Sequence, residues 1–184
     1  MKTIFVLLTT SLIIYACTRT PELKPNRTAE KYLSHLDSTS PTAEHNVKVI
    51  FGKIFNDFKA GATESNIRSV YAENLYFNDT FKIIDNIDEL VIYMIESAES
   101  VESTTVEILD ILRGDKDYFI RWDMKMDLNI MGKKSSSHSI GMTQIRLNPN
   151  GKIVFHQDFW DSSEAFYEHI PIMGRFVKKV KSML

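Results

Sequence analysis

His156 and Asp158 stand two residues apart in Lys152–Trp160, a segment of alternating pattern, so on a strand they share one face with Trp160. An imidazole beside a carboxylate is an acid–base pair that can move a proton to or from a bound molecule. Asp79 follows a second strand-like run, Leu75–Asn78. A lone carboxylate at that position either caps a turn or acts as a general base. Pattern alone leaves the inward face of Lys152–Trp160 open, because Ile153, Phe155, Gln157 and Phe159 form a competing face. The plainer alternative for His156 and Asp158 is a pair satisfied by neighbours or solvent.

The rest of the sequence narrows the chemistry. There is no HExxH and no cluster of Cys and His, so no metal centre is expected. There is no GxSxG and no phosphate-cradling glycine loop, and no cofactor is expected. Gly132-Lys133-Lys134-Ser135 lacks the upstream glycine of a phosphate loop and reads as a turn. His138 lies by a Ser- and Lys-rich turn and reads as exposed, while His35, His45 and His169 have no partner at a useful spacing. With 22 Lys and Arg against 24 Asp and Glu, the net charge is -2, which gives no basic field for nucleic acid. A chain of 184 residues that is 43% hydrophobic and 25% charged suits one globular domain with appendages.

Cys17 is the one cysteine, so no internal disulfide can form. It follows Lys2 and an apolar run, Ile4–Tyr15, too short for a membrane-spanning helix and right for a signal-peptide core. The end of that run, Ile14-Tyr15-Ala16-Cys17, resembles the lipobox of bacterial lipoproteins. The resemblance implies cleavage after residue 16, a lipid on Cys17 as the membrane partner, and a periplasm-facing outer-membrane location, since Thr18 rather than aspartate follows the cysteine. Residues 17–43, with Pro21, Pro25 and Pro41, are too poor in large apolar groups to offset ordering entropy and read as a tether, with a short helix around Ala29–Leu36.

The domain that positions the candidate residues spans 44–184. Val47, Ile50, Phe51, Ile54, Phe55 and Phe58 form one helical stripe closed by Gly61. Thr63 or Ser65 caps a second helix carrying Ile67, Val70 and Tyr71. Asn86 caps a third, with Ile87, Leu90, Val91, Met94 and Ile95 on its buried side. The period then changes to two, and Val101–Leu112, Tyr118–Ile130, Ser137–Leu147 and Lys152–Trp160 read as long strands joined by turns at Gly114-Asp115, Met131-Gly132-Lys133 and Asn150-Gly151. On the second of these, Ile120, Trp122, Met124, Met126 and Leu128 must face inward, because Arg121, Asp123, Lys125 and Asp127 hold the other face. An amphipathic helix with Phe176, Val177, Val180 and Leu184 ends the chain. The class is α+β.

Two segments carry a family resemblance. Tyr71-Ala72-Glu73-Asn74-Leu75-Tyr76-Phe77-Asn78-Asp79 looks like the entry into the first strand of nuclear transport factor 2-like proteins. Ile145-Arg146-Leu147-Asn148-Pro149-Asn150-Gly151-Lys152-Ile153, continuing through Phe159-Trp160-Asp161, is similar to their last hairpin. The likeness covers Glu44–Ser163 and is nearest to SnoaL-like proteins, relatives of the ketosteroid isomerases. It implies a curved antiparallel β-sheet wrapped around N-terminal helices, enclosing a cone-shaped cavity. It places His156, Asp158 and Trp160 on the cavity side, a catalytic-base aspartate at Asp79, and an oxyanion-hole acid at Thr143. The oxyanion-hole tyrosine falls at Ile54 or Phe55, which donate nothing, so enolate chemistry is incomplete. The resemblance also implies that two carboxylates can activate water, as in the epoxide hydrolases of the superfamily.

The leading expectation is a membrane-anchored binding module that takes a small uncharged or weakly polar molecule between walls that include Trp122, Met124, Thr143 and Trp160. The competing expectations are a hydrolase or isomerase using Asp79 with His156 and Asp158, and an interaction module forming the homodimers common in the superfamily.

Overall fold

The computed structural model describes residues 46–130 and 132–184. Cys17, the signal peptide 1–16, the tether 17–43 and the helix expected at Ala29–Leu36 lie outside the described residues.

Asn46 opens helix α1, Val47–Phe55, by accepting the Val49 N–H, and Val47, Phe51 and Ile54 form its buried stripe. The stripe does not continue to Gly61 as one helix. The chain breaks at Asn56-Asp57, where the Asn56 carbonyl accepts the Val106 N–H of the sheet and the Asp57 carboxylate caps a short helix α2, Phe58–Gly61. Helical spacing persists across the break, which is why the sequence reads as continuous. Thr63 caps α3, Glu64–Val70, which runs directly into strand β1, Tyr71–Asn78. Tyr71 is thus the first strand residue and not the last of a helical stripe. A short strand β2, Ile83–Asn86, returns antiparallel to β1 and was not legible as a strand. Asn86 then caps α4, Ile87–Ser100, accepting the Glu89 N–H, with Ile87, Leu90, Val91, Met94 and Ala98 buried.

The four long strands are β3 (Val101–Arg113), β4 (Tyr118–Ile130), β5 (Lys133–Leu147) and β6 (Ile153–Trp160). β5 begins four residues earlier than the pattern suggests, because the Ser-rich stretch Ser135–Ser137 pairs along its length with β4. The sheet is open, in the order β2-β1-β6-β5-β4-β3. The β3–β6 meander is antiparallel, as expected, but β6 closes beside β1 in parallel, so the whole sheet is mixed. Gly151 allows the turn into β6 with φ of 77°, a conformation costly for other residues.

The core lies between α1, α3 and α4 and the concave face of the sheet, where Ile54, Ile67, Leu90, Ile120, Ile145 and Ile153 have no solvent exposure. The opposite face of β4 carries Arg121, Asp123, Lys125 and Asp127, as its alternation requires; Asp123 there meets the exposed His138 at 2.9 Å. Beyond β6 follow a short helix α5, Ser162–Ala165, a 3-10 turn, Tyr167–His169, and helix α6, Met173–Lys181. The amphipathic pattern of α6 is real, but its apolar residues Phe176 and Val180 are exposed.

Candidate functional site

Where the concave sheet face and the helices diverge, they leave a cavity of about 450 Å³. Helices α1 and α2 contribute Phe51, Phe55 and Phe58. Helix α4 contributes Tyr93, Met94 and Ser97. Strand β4 supplies Trp122, Met124, Met126 and Leu128, the face that alternation assigned inward. Thr104 and Val106 come from β3, Thr143 from β5, and Asp158 and Trp160 from β6. Phe77, Asp79, Phe81 and Phe166 also line it. Trp122 reaches this position because β5 offers Gly141 opposite it. A Cβ at 141 would lie 2.3 Å from the indole, so only glycine leaves room for the ring.

Asp79 and Asp158 both face this cavity. Asp79 does two jobs at once. Its Oδ1 accepts the Phe81 and Lys82 N–H groups at 3.0 and 2.9 Å, capping the turn. Its Oδ2 accepts the Tyr93 hydroxyl of α4 in a short hydrogen bond. Thr80, between Asp79 and the backbone donors, has φ of 79°, rare for a β-branched residue and a strain of ~1–3 kcal/mol that the turn must hold in place. Burial pushes the Asp79 pKa up, the donors from Tyr93, Lys82 and Phe81 oppose it, and the Asp158 charge adds to the rise. Tyr93 is raised in turn, first by burial and then by Asp79. The Trp160 indole N–H donates to the Asp79 carbonyl at 3.1 Å, tying the end of β6 to this turn.

Asp158 ends two converging donor chains. The Trp122 indole donates to Thr143 Oγ1 at 2.8 Å, and an indole N–H can only donate. Thr143 must therefore give its own proton to Asp158 Oδ1, 2.5 Å away. On the other side, His156 Nε2 lies 3.1 Å from the same Oδ1, and His156 Nδ1 lies 2.8 Å from the Tyr71 hydroxyl. Burial, then the Asp158 and Asp79 charges, raise the Tyr71 pKa, so this phenol keeps its proton.

Four of the expected wall residues, Trp122, Met124, Thr143 and Trp160, line the cavity with Asp79 and Asp158. His156 does not. It is wholly buried beneath the rings of Phe51, Phe55, Tyr71 and Phe77 and reaches the cavity only through Asp158. The reason is topological: β6 pairs with β1, Phe77 opposite His156, and α1 packs over that end of the sheet, so the open space stops at Asp158. The expectation that His156 converges on the cavity is corrected accordingly; its place is to hold Asp158.

Three participants escaped the sequence. Tyr93 is an aromatic residue next to the α4 stripe, and nothing local foretells that α4 brings it to the end of β1. Tyr71 read as a helix residue. Thr104 lines the cavity from β3 with a buried hydroxyl that has no hydrogen-bond partner among the described residues. No group of three or more His, Cys, Asp or Glu able to hold a metal occurs among the described residues.

This arrangement of open mixed sheet, capping helices and lined cone is that of the nuclear transport factor 2-like fold. The chain belongs to the family described as "Uncharacterized conserved protein (DUF2358)", whose model matches residues 48–156. No functionally curated protein matches it by sequence. Solved structures confirm the fold. An NTF2-like protein of unknown function from Exiguobacterium sp. 255-15 is 18% identical with a TM-score of 0.52, covering 61% of this chain and 98% of that one. A putative SnoaL-like polyketide cyclase from Jannaschia sp. CCS1 is 13% identical with a TM-score of 0.53, covering 67% and 90%. A protein of ketosteroid isomerase-like fold from Catenulispora acidiphila DSM 44928, solved with trimethylamine, is 14% identical with a TM-score of 0.54, covering 63% and 88%. At such identities these likenesses carry the fold alone.

Proposed function

We propose that this domain binds a small, largely apolar molecule in the cone, oriented by a few polar groups on its wall. One observation carries the reading: a cavity of about 450 Å³, walled mostly by aromatic and aliphatic side chains and lined also by Asp79, Asp158 and a Thr104 hydroxyl without a partner among the described residues. Ligand sites generally take this form, a concave apolar surface with a small number of placed polar atoms. A buried hydroxyl without a partner is costly, and a ligand atom or a water relieves it. The test is saturable binding of the fluorescent probe N-phenyl-1-naphthylamine. Val106→Phe, which fills the cavity from β3, should abolish the signal while the thermal midpoint stays near that of the parent. Undiminished probe binding by a folded Val106→Phe protein contradicts the reading.

A second reading has its own observation. A carboxyl raised by burial, with a second carboxylate on the wall of the same largely apolar cavity, is suited to general acid–base work. Asp79 would exchange the proton, and Asp158, held by Thr143 and His156, would steer it. Ile54 is buried in the core and Phe55 offers only its ring, so no hydroxyl replaces the oxyanion-hole tyrosine. Asp79→Asn should abolish turnover of any substrate found, and should change affinity only modestly where the domain merely binds.

The setting we propose is a lipoprotein: the cone domain held by a lipid on Cys17 through the tether 17–43, at the periplasmic face of the outer membrane.

A further inference from the structure

We propose that the cavity selects a cation: its ligand is an amphipathic amine or quaternary ammonium, with the charged head between Asp79 and Asp158 and the apolar body along β4. The proposal rests on the ligand-binding reading above and adds the sign of the ligand's charge.

Among the described residues the wall holds two carboxylates and no basic side chain. Lys82, beside the site, lies outside the wall with its ammonium 5.0 Å from the Tyr93 ring centre. The hydrogen-bond pattern around His156 assigns it a neutral tautomer. The wholly buried Tyr71 hydroxyl has His156 Nδ1 as its one partner among the described residues, so its proton points there. The imidazole then carries a single proton, on Nε2, and gives that hydrogen bond to Asp158. Thr143 is likewise constrained by the Trp122 indole to donate. Every hydrogen bond to the Asp158 carboxylate thus comes from a neutral donor. Asp79 stands in the same condition, accepting from a phenol and two backbone N–H groups.

Two half-buried carboxylates whose donors among the described residues are all neutral, at the edge of an apolar chamber, are incompletely compensated. A neutral guest leaves that cost in place and an anionic guest adds to it, whereas a cation removes it. The remaining wall favours the same guest. Tyr93, Trp122, Trp160, Phe77 and Phe81 surround the acidic end, and the faces of aromatic rings attract cations, most strongly where water is excluded. Methyl-ammonium and alkyl-ammonium groups suit such a site because they present charge and apolar surface together.

The experiment uses three probes of one shape and different charge, 4-phenylbutylamine, 4-phenylbutanol and 4-phenylbutyrate, titrated at pH 8 against the full chain. Intrinsic fluorescence is the readout, since both tryptophans of the chain line the cavity. The amine should bind at least about tenfold more tightly than the alcohol, a modest demand on a desolvated cation–ring contact, and the butyrate most weakly. Asp79→Asn and Asp158→Asn should each bring the amine-to-alcohol ratio towards one, chiefly by weakening the amine. If one variant fails to fold, the other carries this arm. An alcohol that binds as well as the amine overturns the proposal while leaving the ligand-binding reading in place. A preference for the amine that survives both substitutions also overturns it. Silence from all three probes up to their solubility limits overturns both.

Discussion

Asp79 is where the site costs the fold most legibly. Burial raises its pKa in the folded state above the ordinary aspartate value of ~4 that the unfolded chain keeps. Between those two values the folded state holds more proton than the unfolded state, so this group's contribution to stability falls as pH rises through the window and stays lower above it. Asp79→Asn removes the ionisation. The variant should be the more stable protein at pH 7, with its advantage shrinking as pH falls to about 4 and below. Denaturant midpoints of both proteins at pH 3.5 and pH 7 check this, and an advantage unchanged between them contradicts it. The same residue shows what a sequence can and cannot say at this scale. Its turn-cap reading holds through Oδ1, which accepts the Phe81 and Lys82 N–H groups, while the general-base reading is a proposal for the carboxyl whose Oδ2 meets Tyr93. Trp122 and Met124 were legible because charged alternates on β4 left one inward face. His156 was placed on the right face of β6 and at the wrong depth. Depth depends on where α1 crosses the sheet, and no residue near His156 encodes that crossing.

At the scale of elements, alternation and caps were the readable signals. Asn86 and Thr63 cap the helices they were expected to cap, and β3, β4 and β6 begin and end within a residue of their patterns. The misses have tertiary causes. The break after α1 exists because β3 claims the Asn56 carbonyl, and β2 exists because β1 offers it an edge. The parallel closure of β6 on β1 is a long-range pairing with no local mark. One short signal joins element to site: Gly141 on β5, opposite Trp122, which reads as an ordinary weak point in a strand. Gly141→Ala should cost ~1–3 kcal/mol, as overpacking of a fixed interior does. It should also displace the Trp122 indole and shift the protein's fluorescence maximum. A variant with parental stability and an unmoved spectrum would show that the indole does not rest on this glycine.

At the scale of the molecule, the described residues 46–130 and 132–184 make one lined cone, and the remaining question is what it meets. The lipoprotein reading rests on Ile14-Tyr15-Ala16-Cys17 and on the solitary cysteine. It predicts that Cys17→Ser moves the protein out of the membrane fraction or leaves it unprocessed, and that the parent incorporates labelled fatty acid; a parent that never takes up the label contradicts it. The central claim is that the cone is a ligand chamber bounded by Asp79, Asp158 and the two indoles. Each indole N–H has one fixed acceptor in the wall, Thr143 for Trp122 and the Asp79 carbonyl for Trp160, so the two indole resonances watch the two acidic ends of the chamber. The most direct measurement is a 15N–1H correlation spectrum of the protein during titration with 4-phenylbutylamine. The account predicts that both indole cross-peaks move together and saturably. Two unmoved indole peaks, with shifts confined to residues of the outer sheet face, would contradict it.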